Sequence, residues 1–259
     1  MISSILTMAI AVFIYMTVVF MVALLRKDNS IVDIAWGPGF IVVALLTLFL
    51  KPGVEARHVL VSVLAFLWGM RLAGHIYFRN RGRGEDFRYA KWRKEWGKRI
   101  ILRSFFQIFM LQGIFLILIA LPIILVNRSA EKGLNLLDAA GTALWLFGFF
   151  FEAVGDFQLS RFKKNPENKG RIMTAGLWKF TRHPNYFGEA AMWWGLFLIA
   201  LSVGNGWIAF ISPLTITFLL LKVSGVAMLE KKYAGNSEFA SYAGRTSAFF
   251  PWFPQKREG

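Results

Sequence analysis

Long apolar runs alternate with short, strongly basic segments along the whole chain. Seven of the runs approach or exceed the roughly 20 residues that an α-helix needs to cross a bilayer. They predict helices near 2–25, 31–50, 57–78, 104–127, 134–161, 184–204 and 207–229. The pattern therefore predicts an all-α integral membrane protein with about seven transmembrane helices.

The lysines and arginines are unevenly distributed between the two sides that these helices define. Of the 30, 24 lie on one side, in segments 26–30, 79–103 and 161–182 and in the tail from 230. Positively charged loops face the cytoplasm, so the pattern predicts an external N-terminus and a cytoplasmic C-terminus. The first run is not expected to be a cleavable signal peptide, because Arg26 and Lys27 follow it rather than precede it.

Composition agrees with this class of protein. The 259 residues are 56% hydrophobic, with a net charge of +15 and no cysteine. The missing cysteines exclude disulfides, thiolate metal sites and cysteine nucleophiles, and fit a bacterial inner membrane. The three histidines form no metal-ligand pattern, so no metal site is expected. Without repeats or linkers, residues 1–259 are predicted to form one membrane-embedded domain, with most cofactor motifs in 134–259.

Polar side chains recur at membrane depth near the predicted cytoplasmic ends of the helices. They are Asp33, Arg71, Glu152, Asp156, Asn185 and Glu189. Glu152 and Asp156 share a helix face through their four-residue spacing, and Asn185 and Glu189 repeat that spacing. Such groups usually face a polar cavity or pair with one another. A structural ion pair is the alternative for each one, but together they favour a hydrophilic pocket that opens to the cytoplasm.

The stretch "TRHPNYFGE", residues 181–189, begins one of the predicted helices. Pro184 suits the first helical position, and a helix N-terminus presents unpaired N–H groups to an anion. Lys163, Lys164, Arg171 and Arg182 lie nearby in sequence. The stretch therefore predicts an anion-binding site for a phosphorylated or carboxylated cofactor. The alternative is a basic loop that anchors the protein to the membrane. Because no GxGxxG or GxxxxGK[ST] motif is present, a nucleotide would bind without a Rossmann fold or P-loop.

Segment 78–99 combines basic residues with an aromatic stripe at helical spacing. Phe87, Trp92 and Trp96 fit an interfacial helix that lies on anionic headgroups. Arg81, Arg83 and Arg88 could also cover a phosphorylated ligand. The aromatic tail from 230 is expected to fold back over the cytoplasmic face.

Five stretches together resemble the bacterial DUF1295 proteins, a group related to steroid 5α-reductases and, more distantly, to sterol reductases and isoprenylcysteine carboxyl methyltransferases. The stretches are "VDIAWG", "GEDFRY", "GDFQLSRFK", "GLWKFTRHPNYFGE" and "LEKKYAGNSEFASYAGRTSAFFPWFP". The resemblance covers nearly the whole chain. It implies a membrane-embedded fold and a cofactor that is either NADPH or S-adenosylmethionine.

The reductase pattern implies roles for particular residues. Asp156, Asn185 and Glu189 match residues that contact the nicotinamide nucleotide. Further candidates for cofactor binding come from this match and from the predicted anion-binding site. They are Glu152, Lys163, Arg171, Arg182, His183, Lys231 and Tyr233. The last two fall in "LEKKY", where steroid reductases have a His-rich run.

The same pattern implies catalytic residues. Asp33 stands where the family has a Glu near the substrate carbonyl, Trp68 where it has a Tyr that protonates that carbonyl, and Arg71 matches an Arg three residues later. An indole N–H donates a hydrogen bond but does not usefully ionise, so Tyr186 or Tyr77 could supply the proton instead.

These features predict an NADPH-dependent reductase of a lipophilic enone such as a Δ4-3-ketosteroid. The basic loops suit a 2′-phosphate and a pyrophosphate. The alternatives are an S-adenosylmethionine-dependent methyltransferase, which Glu189 and Glu230 would suit, and a non-catalytic lipid-binding protein. The expected partners are a steroid-like small molecule and membrane lipids, with no nucleic acid, and the protein is expected to be a monomer.

Overall fold

A computed structural model describes residues 2–51 and 53–255 of the chain. Side chains are described from residue 6 onwards, with that of Lys232 excepted. Lys256 and Arg257, which were counted with the basic tail, lie outside the described residues. The described chain is almost entirely helical and contains no β-strand, which confirms the predicted all-α class. It groups into two compact units, residues 1–138 with 199–212 and residues 139–198 with 213–259.

The first unit, called the N-terminal unit here, is built from seven α-helices. They are α1 (Ile2–Arg26), α2 (Ile31–Phe49), α3 (Ala56–Asn80), α4 (Phe87–Trp96), α5 (Ile100–Ser104), α6 (Leu111–Ile119) and α7 (Leu121–Arg128). A 3-10 turn, Gly97–Arg99, and a π-helical segment, Phe105–Met110, join α4, α5 and α6 into one continuous element.

The second unit, the C-terminal unit, contains most of the remaining helices. They are α8 (Leu136–Lys164), α9 (Pro184–Ala200), α10 (Ile211–Phe218), α11 (Val226–Lys232) and α12 (Ser237–Ala243). The first residues of α8 and α10 belong to the N-terminal unit. Short 3-10 turns at Pro166–Asn168 and Gly176–Lys179 shape the connection from α8 to α9.

In the part of the chain that the structure describes, six helical stretches are long and apolar enough to cross a membrane. They are Leu6–Arg26, Ile31–Phe49, Ala56–Asn80, Phe87–Ile119, Leu136–Lys164 and Gly206–Lys231. Helix α9 has 17 residues and is shorter than these. The chain is therefore an integral membrane protein by length and composition of its helices, while the count of seven and the orientation stay predictions.

Two predicted elements differ from the structure. The predicted helix 104–127 begins much earlier, at Phe87, because the basic and aromatic segment continues the same helical element. The predicted helix 207–229 is interrupted after a π-helical segment, Leu219–Val223. At Gly225 a Cβ would lie 2.1 Å from the carbonyl oxygen of Leu220, so only glycine fits this bend.

Glycines allow α8 and α9 to pack with their backbones in contact. A Cβ on Gly188 would lie 2.4 Å from the carbonyl oxygen of Gly148, and one on Gly195 would lie 2.5 Å from that of Gly141. Small residues of this kind let membrane helices approach closely and pack through van der Waals contacts. A third glycine, Gly155, places the α8 backbone against the first turn of α9. The relative position of the two helices therefore depends on these glycines.

We expect Gly188→Ala to destabilise the protein by about 1–3 kcal/mol, because the added methyl group must push α8 and α9 apart. The measurement is the unfolding midpoint of the purified protein in detergent. Gly74→Ala is the matched control, since a Cβ at this helical position in α3 meets nothing within 4 Å. An equal midpoint for Gly188→Ala and Gly74→Ala would contradict the packing role.

Candidate functional site

A cleft of about 500 Å³ opens in the C-terminal unit, between the end of α8, the loop that follows it, and helices α11 and α12. Among the described side chains, five cationic ones line it: Lys163, Lys164, Lys169, Arg171 and Arg182. No aspartate or glutamate is among the described residues that line it. Trp178, Tyr233, Phe239 and Tyr242 add aromatic surface. The cleft is therefore suited to a ligand that carries several negative charges and a planar group.

Hydrogen bonds fix the aromatic wall of the cleft. The indole N–H of Trp178 donates to the carbonyl oxygen of Gly155 at 3.1 Å, which ties the loop to α8. The hydroxyl of Tyr242 donates to the carbonyl oxygen of Trp178 and so brings α12 to the same loop. Burial raises the pKa of Tyr242, so this phenol stays neutral at physiological pH. The ring of Tyr233 stacks on Phe239 with centroids 5.2 Å apart.

Arg182 holds the C-terminal segment in place. Its Nε and Nη2 donate to one carboxylate oxygen of Glu230, at 2.8 and 2.6 Å, and Nη1 donates to the carbonyl oxygens of Ala243 and Thr246. The backbone N–H of Arg182 also donates to the carbonyl oxygen of Ser247. Most of its donors are therefore used within the protein, and the other cationic side chains of the cleft are Lys163, Lys164, Lys169 and Arg171.

His183 lies buried beside this clamp, with 4% of its surface exposed. Its ring stacks on Tyr186, and its Nε2 lies 3.6 Å from the Glu230 carboxylate. Within the described part of the chain, Nδ1 has no hydrogen-bond partner. Burial lowers the pKa of His183 to about 4, against the opposing attraction of Glu230. The imidazole is therefore neutral at pH 7.

Asn185 and Asp156 meet where α8 crosses the first turn of α9. The amide Nδ2 of Asn185 donates to Oδ1 of Asp156 at 3.1 Å, and Asp156 is only 7% exposed. The side-chain oxygen of Asn185 is buried and has no hydrogen-bond partner among the described residues. This acceptor is therefore available to an amide or hydroxyl donor of a ligand.

The structure places the other predicted cofactor residues of this unit in three settings. Lys163, Arg171 and Tyr233 line the cleft, as do Arg182 and His183. Glu152, 2% exposed, and Glu189 lie on the α8 and α9 helices. Lys231 lies exposed on α11 and does not line the cleft.

In the N-terminal unit, Asp33 is joined to two neighbouring residues of α4. Arg88 Nη2 donates to Asp33 Oδ2, and the hydroxyl of Tyr89 donates to Asp33 Oδ1, both at 2.7 Å. Arg88 is therefore an ion-pair partner of Asp33 in the structure. Tyr89, 3% exposed, was missed, although its motif "GEDFRY" was recognised. The signal that the sequence offered for Tyr89 was the position of an aromatic residue directly after a polar loop.

Trp68 and Arg71, the other predicted catalytic residues of this unit, lie on α3. Trp68 is 2% exposed, and its ring meets Phe40 of α2 edge to face at 5.2 Å. The two helices cross closely there, since a Cβ on Gly37 would lie 2.3 Å from the carbonyl oxygen of Gly69. Trp68 therefore belongs to the core between α2 and α3. The convergence of these residues with those of the C-terminal unit stays a prediction.

Comparison with known proteins gives a family and three partial relatives. The model of a family described as a protein of unknown function, DUF1295, matches residues 19–246. An uncharacterised protein of Schizosaccharomyces pombe is 28% identical over 212 residues, which are 72% of this chain and 61% of that protein. 3-oxo-5-alpha-steroid 4-dehydrogenase 1 of Bos taurus is 36% identical over 67 residues, 26% of each chain.

A probable O-methyltransferase of Ustilaginoidea virens, ustE, is 44% identical over 48 residues, which are 18% of this chain and 17% of that protein. The chain thus spans less than two thirds of the length of each of these relatives. No solved structure matches it significantly. The predicted resemblance is confirmed at the level of the family, with similarity to both a reductase and a methyltransferase.

We expect the stability of the protein to fall between pH 7 and pH 5 because of His183. The unfolded chain binds a proton at this residue below about pH 6.5, whereas the folded protein does so only near the lowered pKa of about 4. The measurement is the unfolding midpoint across this range, where Glu85 and Asp86, whose pKa values lie below their usual ones, stay ionised. His183→Gln should flatten the dependence, and an unchanged slope in that variant would contradict this assignment.

Proposed function

The chain belongs to the DUF1295 family, and from that premise we propose that it is a membrane-embedded reductase that transfers hydride from NADPH to the double bond of a lipophilic enone. A Δ4-3-ketosteroid represents this substrate class. The observation that carries the proposal is the cleft of the C-terminal unit, with its five cations and its aromatic wall.

The charge of the cleft supports a phosphorylated dinucleotide. NADPH brings a pyrophosphate and a 2′-phosphate, and lysine and arginine bind such groups through charge-assisted hydrogen bonds. The volume of about 500 Å³ lies within the usual range of small-molecule sites. The adenine would pack against the aromatic wall formed by Trp178, Tyr233 and Phe239. In this arrangement Lys163, Lys164, Lys169 and Arg171 would hold the phosphates.

Asn185 and Asp156 do not line the cleft themselves, but Asn185 lies two residues after His183, which does, and we assign the pair to a second part of the same ligand. Nicotinamide carries a carboxamide that both donates and accepts hydrogen bonds. The unpartnered oxygen of Asn185 would accept from the carboxamide N–H, while Asp156 holds the Asn185 side chain in orientation. A hydrogen bond from the ligand to a buried acceptor contributes more binding free energy than one to an exposed acceptor. The reason is that the buried acceptor has already lost its hydrogen bonds to water.

Reduction of an enone also needs a donor at the substrate carbonyl. Hydride adds to the β-carbon, negative charge develops on oxygen, and a hydrogen-bond donor at that oxygen lowers the barrier before a proton completes the reaction. Asp33 accepts from Arg88 and Tyr89 in the structure, as an ionised carboxylate does. The proton would therefore come from another group, and Tyr186 is the proposed donor.

A methyltransferase is the second candidate, because the probable O-methyltransferase of Ustilaginoidea virens shares 44% identity over 48 residues. S-adenosylmethionine carries a sulfonium and an ammonium group, and no carboxylate lines the cleft to receive them. Glu230, which follows the lining residue Leu229, is already bonded to Arg182. The electrostatics of the cleft therefore favour the reductase.

We expect NADPH to raise the unfolding midpoint of the purified protein in detergent, since a ligand that binds only the folded state stabilises it. NADH should produce a smaller rise because it lacks the 2′-phosphate. S-adenosylmethionine should produce none. A rise with S-adenosylmethionine and none with NADPH would contradict the proposed reductase and support the methyltransferase.

Charge variants of the cleft test where NADPH binds. Lys164→Gln and Arg171→Gln should each weaken NADPH about tenfold or more, because a charge-assisted hydrogen bond contributes about 1.5–3 kcal/mol. Lys179→Gln is the matched control, since Lys179 is an exposed lysine that does not line the cleft. The dissociation constant is measured by titration of the midpoint shift. Equal weakening by all three variants would indicate a nonspecific charge effect.

We expect Asn185→Ala to remove most of the midpoint shift given by NADPH, because the variant loses the buried acceptor proposed for the carboxamide. Asn185→Asp tests the same contact and keeps the size of the side chain. 2′,5′-ADP contains the adenosine and its phosphates but no nicotinamide, so it should bind the variants as tightly as it binds the wild type. Equal binding of NADPH to wild type and Asn185→Ala would remove Asn185 from the site.

A further inference from the structure

A second cavity lies beside the cleft, on the other side of the loop that follows α8. It is an open groove of about 560 Å³ in the C-terminal unit. Phe162, Asn165, Asn168, Ile172 and Met173 line both cavities and form the wall between them. The two cavities differ in character, because five cations line the cleft and only one, Arg161, lines the groove.

The face of α8 that enters the groove changes from apolar to cationic along its length. Val154, Phe157 and Arg161 are spaced by three and four residues, so they follow one another on one side of the helix. Phe157 is 64% exposed although it is large and apolar. Arg161 is exposed and has neither a hydrogen bond nor an ion pair with the described residues. Helix α8 is one of the stretches able to cross the membrane.

The polar side chains near Arg161 are mostly engaged within the loop. The side-chain oxygen of Asn165 accepts from the N–H of Glu167, and the amide of Asn168 donates to the carbonyl oxygen of Phe162. Gln158 accepts from the N–H of Leu177. Arg161 is thus the one charged group that lines the groove among the described residues.

We propose that this groove binds one anionic phospholipid, with its acyl chain over Val154 and Phe157 and its phosphate on Arg161. The order of apolar and cationic surface along α8 matches the order of chain and headgroup in a membrane lipid. A headgroup that is only anionic suits the groove, because a zwitterionic headgroup brings an ammonium group and no carboxylate lines the groove to receive it. The guanidinium fork can hold two phosphate oxygens at once.

The inference stands apart from the proposed reductase. Arg161 lines the groove and not the cleft, whereas Lys164, three residues later on α8, lines the cleft and not the groove. Substitutions of these two residues therefore separate lipid binding from nucleotide binding within one turn of helix.

The experiment uses phosphatidylglycerol that carries a photoactivatable diazirine in one acyl chain, mixed at low fraction with phosphatidylcholine in detergent micelles that contain the full-length protein. After illumination, labelled peptides are located by mass spectrometry. We expect labelling in 154–162 and 172–175, competed by unlabelled phosphatidylglycerol and several-fold less by phosphatidylcholine. Labelling confined to other segments, or equal competition by the two lipids, would overturn the proposal.

Variants complete the test. Arg161→Gln should reduce labelling of the groove several-fold and keep the NADPH shift, whereas Lys164→Gln should keep the labelling. Phe157→Ser changes an exposed side chain and should weaken labelling by removing chain contact. If both Arg161→Gln and Phe157→Ser are labelled as strongly as the wild type, the proposed lipid site is refuted. A missing NADPH shift in the wild type would count against the reductase alone.

Discussion

The contact between the backbones of α8 and α9 determines where the first turn of α9 lies against α8 in the C-terminal unit. Gly148 and Gly188 bring the two helices close enough that a single methyl group would not fit between them. Asp156 and Asn185 meet because of that approach, since they lie one to two turns beyond the glycine contact on the same two helices. The loop that connects the two helices, residues 165–183, contributes Lys169, Arg171 and Arg182 to the lining of the cleft.

The basic residues of the C-terminal unit fall into two groups, one that stabilises the fold and one that is exposed or lines the cleft. Arg182 is bonded to Glu230 and to backbone carbonyl oxygens, so it stabilises the arrangement of the tail. The lysines and Arg171 are exposed or line the cleft with no carboxylate among its lining residues. The same division occurs in the N-terminal unit, where Glu85 and Asp33 bind Arg93 and Arg88, while Lys94, Lys98 and Arg99 face outward. A large positive charge therefore coexists with ion pairs that hold particular segments together.

The helical class could be predicted from hydrophobic runs, because length and polarity are local properties of the sequence. The start of α9 at Pro184 was also predicted, because proline at the first helical position is a local signal. The interruption at Gly225 and the early start of the fourth crossing stretch at Phe87 could not be predicted, because each depends on the neighbours that the helix meets. The Arg88–Asp33 ion pair was missed for the same reason, since 55 residues separate its partners.

The clamp formed by Arg182 has a practical consequence for handling the protein. The tail from α11 to Gln255 is attached to the loop before α9 by Arg182, by the Thr181 hydroxyl bonded to Phe249, and by the backbone pair of Trp252 and Phe180. Affinity tags appended directly to this end would crowd the segment that forms one side of the cleft. Tags at the opposite end of the polypeptide, or behind a long flexible spacer, would leave these attachments undisturbed.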